Sequence, residues 1–376
     1  MQQPKYITKL DQLMHLIPQE RKALKPVCEK YPFRTNDYYL SLINWDDPDD
    51  PIRRIIIPDT RELKVWGRLD ASDERKNTKA PGLEHKYEDT ALLLVNDVCG
   101  GYCRFCFRKR LFMHLNDEVT RDIGPALEYI RDHNELTNVL LTGGDPLILS
   151  TNKLSKIIHG IRQIDHVKII RIGSKMPAFN PFRILNDRSL LEVFNKYSLP
   201  EKRIYLMTHF NHPRELTPQA LDAMALIQKT GVIVCNQTPL LKGINDDPHV
   251  LAELFKKLSF AGIPPYYVFQ GRPTSGNHPF AVPVEKSFRI FELARMECSG
   301  LAKRARLVMS HSTGKIEILG ISRHKVYFRY HRAYHPQKKA GFMEFESNPR
   351  AYWFDDYREV MSNYAAENPY RCFGPD

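Results

Sequence analysis

The chain has 376 residues, with 55 Lys plus Arg against 44 Asp plus Glu, 42% hydrophobic residues and 26% charged residues. This is the composition of a globular protein large enough to bury a core unaided, and it is too apolar for a disordered chain. No apolar run reaches the roughly 18 to 20 residues that a spanning helix needs. The net charge of +11 attracts anions in general, but the basic residues are scattered rather than gathered into a tract, so neither nucleic-acid binding nor membrane association is expected.

The opening MQQPKYITKLDQLMHLIPQ lacks the apolar core and small-residue cleavage site of a secretory signal. Seven cysteines form an odd and modest set for this length, which points to reduced thiols and a cytoplasmic setting. Residues 1–85 read as an N-terminal helical extension, with an acidic turn-rich stretch at 46–51 (DDPDDP) and a short strand in RRIIIP. From Ala91 onward, short β-branched or leucine-rich runs alternate with amphipathic stretches. Strands are expected at Ala91–Val95, Asn138–Thr142, Lys168–Ile172, Arg203–Thr208, Val232–Cys235 and Pro265–Phe269. Helices are expected near Val119–His133, Asn152–Ile164, Arg188–Tyr197, Pro218–Thr230, Pro248–Phe260 and Val284–Cys298. Right-handed crossovers would wind residues 86–300 into an α/β fold, a partial (β/α)6 barrel, whose functional residues gather where strands end. Residues 301–376 form an aromatic and basic C-terminal segment without a repeat.

The first strand leads into Cys99-Gly-Gly-Tyr-Cys103-Arg-Phe-Cys106, three thiols within eight residues. Structural zinc takes four ligands, and no fourth Cys or His stands at a suitable spacing. A [4Fe-4S] cluster on three thiolates leaves one iron open to a ligand. Gly100 and Gly101 allow tight winding around such a cluster, and Tyr102 and Phe105 either shield it or simply pack in the core.

The second strand ends in Thr142-Gly143-Gly144-Asp145-Pro146. The glycines let backbone approach a ligand and Asp145 can accept from an ammonium; equally, the motif can be a turn that caps the next helix. Ser174 and His209 place polar groups at the next two strand ends, and Asn236 and Gln237 at the fifth. Their amides can hold a phosphate or ribose oxygen, while Asn236 can also cap a helix. Lys315 follows the small-residue run Ser310 to Gly314, which leaves its amine accessible.

In this order these residues resemble the radical S-adenosylmethionine enzymes, and among them the lysine 2,3-aminomutase family. The likeness runs through NDYYLSLINWDDPDDPIR, HKYEDTALLLVNDVCGGYCRFCFRKR, LLTGGDPL, HVKIIRIGS, THFNHP, NQTPLLKGINDDPHV and PYYVFQ. The resemblance implies a [4Fe-4S] cluster on Cys99, Cys103 and Cys106, and S-adenosylmethionine on the Gly143-Gly144-Asp145 loop, with Ser174, His209 and Gln237 as further cofactor contacts. It implies pyridoxal 5'-phosphate on Lys315 in the 301–376 segment, with Lys86 and Tyr87 positioning its phosphate and ring, and Arg108 pairing with the substrate carboxylate. A flavodoxin- or ferredoxin-type electron donor is implied as partner, and the oligomeric state, a homo-oligomer included, stays open.

Several positions depart from the family pattern. Thr90 replaces a second phosphate-binding arginine, HSTGK replaces a glycine-rich turn, and the two aspartates that hold the distal ammonium of lysine are absent. Arg272 follows the sixth strand instead, where a guanidinium would repel an ammonium and attract a carboxylate such as that of glutamate. Asp247 stands where some relatives carry a zinc-binding cysteine, and the C-terminus offers only Cys372, so no structural zinc is expected. The expected activity is a pyridoxal phosphate-dependent 2,3-aminomutase that moves an amino group from carbon 2 to carbon 3 of an α-amino acid other than free lysine. The alternative is a family member that does without pyridoxal phosphate and performs another hydrogen abstraction.

Overall fold

The computed structural model describes residues 2–113, 116–335 and 340–357. A short antiparallel pair, β1 (Tyr6–Ile7) and β2 (Thr35–Asn36), stands apart from a twelve-stranded sheet. The sheet begins with β3 (Thr78–Ala80) and β4 (Leu83–Tyr87), antiparallel to each other and to β5. It continues through β5 (Thr90–Asn96), β6 (Asn138–Gly143), β7 (Ile169–Ser174), β8 (Ile204–Thr208), β9 (Ile233–Pro239), β10 (Pro265–Phe269) and β11 (Arg306–His311), all parallel. Antiparallel β12 (Gly314–Ile321), β13 (Lys325–Ala333) and β14 (Phe342–Glu346) complete the sheet.

The expected six-stranded barrel thus has a seventh parallel strand, β11. The sequence reading ended the barrel at residue 300 because the run beyond it is bounded by a tight turn rather than by another helix. The RRIIIP strand is corrected to a helix, Pro51–Ile56: Asp50 accepts from the amides of Ile52 and Arg53, and Pro51 fixes the first helical turn. The same signal starts the barrel helices Pro218–Lys229 and Pro248–Phe260, capped by Thr217 and Asp247. Asp247 is therefore a helix cap, and Cys372 lies outside the described residues. The first barrel helix is shorter than expected, Gly124–Asp132, because Pro125 sets its start. β4 runs through the boundary drawn at 85/86.

The alternation along the parallel strands defines the interior. In β6, Val139 and Leu141 are fully buried in the apolar core with the flanking helices, while Asn138, Leu140 and Thr142 are half-buried. β7 repeats the pattern, with Ile170 and Ile172 in the core and Arg171 on the other face. The half-buried face points into the barrel lumen and carries polar groups such as Asn138, Thr142 and Arg171, where most small barrels place branched aliphatics. The sheet does not close on itself, and side chains bridge its seam. Lys86 Nζ of β4 donates to the His311 carbonyl of β11 at 2.6 Å, and Arg332 of β13 pairs with Asp89 in the β4–β5 turn.

Candidate active site

The cysteine loop leaves the end of β5 and is clamped by the N-terminal layer. Arg34 Nε donates to the Cys99 carbonyl at 2.8 Å, and Arg104 makes a buried two-bond pair with Glu62 at 2.9 and 2.8 Å. A buried ion pair of this kind fixes geometry more than it adds stability. Gly100 and Gly101 are explained by close packing: a Cβ would lie 2.5 Å from Met176 Sδ and 2.9 Å from the Phe179 ring, respectively. Tyr102 stacks on Phe112 at 4.3 Å, and Phe105 meets Phe280 edge-on.

Cys99, Cys103 and Cys106 are free thiols, and burial raises the pKa of each, Cys103 to about 12, while Lys109, Arg108 and Arg110 pull against that rise at Cys106. They are close enough to act on one another electrostatically, yet among the described residues no three His, Cys, Asp or Glu converge on one metal ion. That donor set suits a cluster in which each thiolate meets a different iron.

The glycine loop after β6 packs against the stem of the cysteine loop. Gly143 has φ +113, and a Cβ on Gly144 would lie 2.3 Å from the Val98 carbonyl oxygen. The amides of Gly144 and Asp145 donate to the carbonyls of Asn96 and Val98 at 2.6 and 2.9 Å. Asp145 does what the capping alternative required. Its Oδ1 accepts from Leu147 N and Ser174 Oγ, and its Oδ2 from Lys175 N and Met176 N. Burial still lifts its pKa to about 6. Asp145 and Ser174 are thereby brought together, with their side chains turned to each other.

His209 and Gln237 also meet, at 2.7 Å between their Nε2 atoms. Burial, with the nearby Lys175 and Arg108 charges, lowers the His209 pKa to about 3, so the ring is neutral. Asn236 neither caps a helix nor faces the lumen; its amide holds the Thr208–Phe210 turn through Thr208 Oγ1, Phe210 N and the Phe210 carbonyl.

Lys315 is corrected from a loop to the second residue of β12, because the turn ends at Gly314. Its ammonium would sit 4.1 Å from the Tyr267 ring centre. Burial and the charges of Arg171, Arg332, Arg272 and Lys86 hold its pKa well below the ordinary lysine value. Both effects favour the uncharged, nucleophilic form of the amine relative to an ordinary lysine. Lys86 is pushed down to about 8 by burial and Arg272. Arg332 lies 4.4 Å and Lys86 5.6 Å from the Tyr87 ring centre, and the buried Tyr87 hydroxyl has no hydrogen-bond partner among the described residues. Arg332 is the cross-strand neighbour of Lys315 and comes within 3.3 Å of Thr90 Oγ1. A guanidinium therefore stands beside Thr90 after all, delivered from the far side of the seam. The sequence reading missed it because nothing local marks a basic residue in β13 as a partner of β5.

Arg108 is not free. Glu74 spans its Nε and Nη2 at 2.6 to 3.0 Å, and Thr142 Oγ1 accepts from Nη1 at 3.1 Å. Glu74 also accepts from Arg110 at 2.8 Å, and these cations lower its pKa to about 2. Glu84 lies in the same group with its pKa raised to about 8 by burial and by Glu74. Arg272 donates to Ser72 Oγ and to the Ser310 carbonyl and lies 4.3 Å from the Phe107 ring centre. Glu74 and Glu84 were not foreseen, since Glu74 stands in polar turn sequence and Glu84 in a short strand that precedes the first expected barrel strand.

Known proteins carry the same pattern. Residues 93–255 match the Radical SAM superfamily profile. The chain is 60% identical over 361 residues to a protein of Aquifex aeolicus provisionally named L-lysine 2,3-aminomutase, covering 96% of each chain. It is 38% identical over 297 residues to the L-lysine 2,3-aminomutase of Clostridium subterminale, covering 78% of this chain and 70% of the other. It is also 32% identical over 295 residues to the glutamate 2,3-aminomutase of Clostridioides difficile, covering 78% and 68%. A radical enzyme of this superfamily uses an iron-sulfur cluster and S-adenosylmethionine, which the free cysteine triplet after β5 is suited to serve. The chain belongs to the lysine 2,3-aminomutase family of radical S-adenosylmethionine enzymes and is an isomerase of the aminomutase kind.

Proposed function

We propose that the chain is a pyridoxal phosphate-dependent 2,3-aminomutase whose substrate is an α-amino acid with an anionic side chain, glutamate-like rather than lysine. The observation that carries the reading is the charge of the lumen: the leading charges around Lys315 are Arg171, Arg332, Arg272 and Lys86, all cations. A substrate ammonium would be repelled there, whereas a carboxylate and a phosphate would each find a partner.

Cys99, Cys103 and Cys106 would hold the cluster, and the backbone of Gly143 and Gly144, with His209 and Gln237, would line the S-adenosylmethionine site. The Asp145–Ser174 pair supports that loop from behind. Lys315 would carry pyridoxal phosphate, with Lys86 and Arg332 toward its phosphate and the Tyr87 hydroxyl finding the partner it lacks. When bound, these groups supply a carbon-centred radical and a conjugated ring that delocalises an unpaired electron. The protein's own residues do the rest. Arg108, held by Glu74 and Thr142, orients the substrate carboxylate; Arg272 takes the distal group; Lys315 gives up its proton more readily than an ordinary lysine. The barrel wall excludes water from the reactive carbon. An electron donor of the flavodoxin or ferredoxin type completes the system. Free cysteines suit a reducing compartment, and we assign the chain to the cytoplasm.

The experiment is anaerobic reconstitution followed by visible spectra with pyridoxal phosphate, before and after borohydride, in the wild type and in Lys315→Ala. A cofactor band that borohydride fixes to the wild type, and that Lys315→Ala lacks, supports the reading. A cluster band without it would favour the second reading, a family member that dispenses with pyridoxal phosphate. The run His311 to Lys315, HSTGK in place of a glycine-rich turn, is the observation that keeps that second reading in view.

A further inference from the structure

The N-terminal layer builds a groove of about 860 Å³, and the carbonyl of Pro32 in its wall accepts from Arg104 of the cysteine loop at 3.0 Å. Its walls include Cys28, Pro32, Phe33 and Met113, and its rim carries Lys9, Arg21, Lys22, Lys25 and Lys30 against two acids, Asp11 and Glu29. Cys28 and Phe33 belong to the same apolar cluster as Cys103 and Phe105 of the loop. A small gap lined by Tyr31, Pro32, Tyr102 and Cys103 lies between them. Beside the groove, the segment leading to Pro18 leaves Met14 81% and Ile17 61% exposed. An apolar wall with a cationic rim is the anatomy of a surface that receives an acidic partner.

We propose that this groove is the docking face for a small acidic one-electron carrier of the flavodoxin type, which reduces the cluster through the Tyr31–Pro32 and Tyr102 layer. The proposal rests on the radical enzyme reading above. One electron leaves the carrier and one enters the cluster, and no bond in the chain is made or broken. Three features choose this occupant: the excess of lysine on the rim complements an acidic protein, the apolar walls suit the exposed hydrocarbon edge of a flavin, and Pro32 lines both the groove and the small gap that reaches Cys103.

The test is the double variant Lys22→Glu/Lys25→Glu, with Lys9→Glu/Lys30→Glu as a second pair and Lys229→Glu/Lys286→Glu as a charge-matched control on the barrel's outer helices. Binding of oxidised flavodoxin is followed by flavin fluorescence, and cluster reduction by bleaching of its visible band, driven by reduced flavodoxin or by dithionite. The expected result is at least tenfold weaker binding and an equal loss of flavodoxin-driven reduction at low salt, with dithionite-driven reduction unchanged and the control pair normal. Wild-type behaviour of both groove pairs would overturn the proposal, as would a loss equal with dithionite, which places the defect in the cluster itself. A ferredoxin that outperforms flavodoxin with the same sensitivity would overturn the choice of carrier. If wild-type protein forms no cluster that dithionite can reduce, the radical reading fails instead, and the binding result still decides whether the groove takes an acidic protein.

Discussion

Glu74→Gln removes one charge from the buried group that holds Arg108. In the wild type, Glu74 meets Arg108 at 2.6 to 3.0 Å and Arg110 at 2.8 Å, while Arg110 keeps a second partner in Glu118 at 2.8 Å. Removing one member of a buried pair costs about 3 to 5 kcal/mol. Glutamine retains the volume and one acceptor, and Arg110 stays paired, so about 2 kcal/mol is the expected loss in urea unfolding. The pH dependence separates charge from shape. The Glu74 pKa is lowered from 4.5 to about 2, so its contribution is fully present above pH 4.5 and is lost as pH falls toward about 2. Glu74→Gln therefore flattens the acid limb of the stability profile, and it raises the substrate KM about tenfold with little change in kcat, because Arg108 loses its alignment. A variant as stable as the wild type, with an unchanged acid limb, would refute the reasoning.

Gly144→Ala forces a Cβ to 2.3 Å from the Val98 carbonyl oxygen at the stem of the cysteine loop, so reconstituted protein should hold well under half the wild-type iron, measured by iron and sulfide assay. Alanine at Cys99, Cys103 or Cys106 abolishes the cluster band, whereas alanine at Cys28, Cys235 or Cys298 leaves it intact. Lys315 is held well below the ordinary lysine pKa of 10.5, so the rate of pyridoxal phosphate attachment should level off at a lower pH than that of a free lysine amine. A tenfold rise per pH unit in stopped-flow absorbance, continuing up to that ordinary value, would mean an unperturbed amine. Glu84 has its pKa raised from 4.5 to about 8, so it favours the folded state fully below pH 4.5, and that preference is lost as pH rises through 8. Thermal unfolding of Glu84→Gln should therefore gain on the wild type across that window.

The cysteine triplet and six of the seven parallel strands were legible because each rests on local signals, a spacing in one case and short apolar runs in the other. The role of Asp145 was half legible: the loop composition signalled both a ligand contact and a cap, and only the four donors around the carboxylate show the cap. Arg332 and Glu74 were illegible for a different reason. Arg332 reaches Thr90 from β13, 242 positions away, and Glu74 meets Arg108 across 34 positions that include three strands. No periodicity or motif encodes a meeting that the barrel's seam creates. RRIIIP failed as a strand because its β-branched run outweighed the Asp-Pro signal before it, and the cap won.

The most direct test of the central claim is a competition in one vessel. Reconstituted wild-type enzyme receives S-adenosylmethionine, pyridoxal phosphate, dithionite and equal concentrations of glutamate and lysine, and products are resolved by NMR. The account predicts that the 3-amino isomer of glutamate accumulates, and that Arg272→Asp suppresses it. Accumulation of the 3-amino isomer of lysine alone, unaffected by Arg272→Asp, would contradict it.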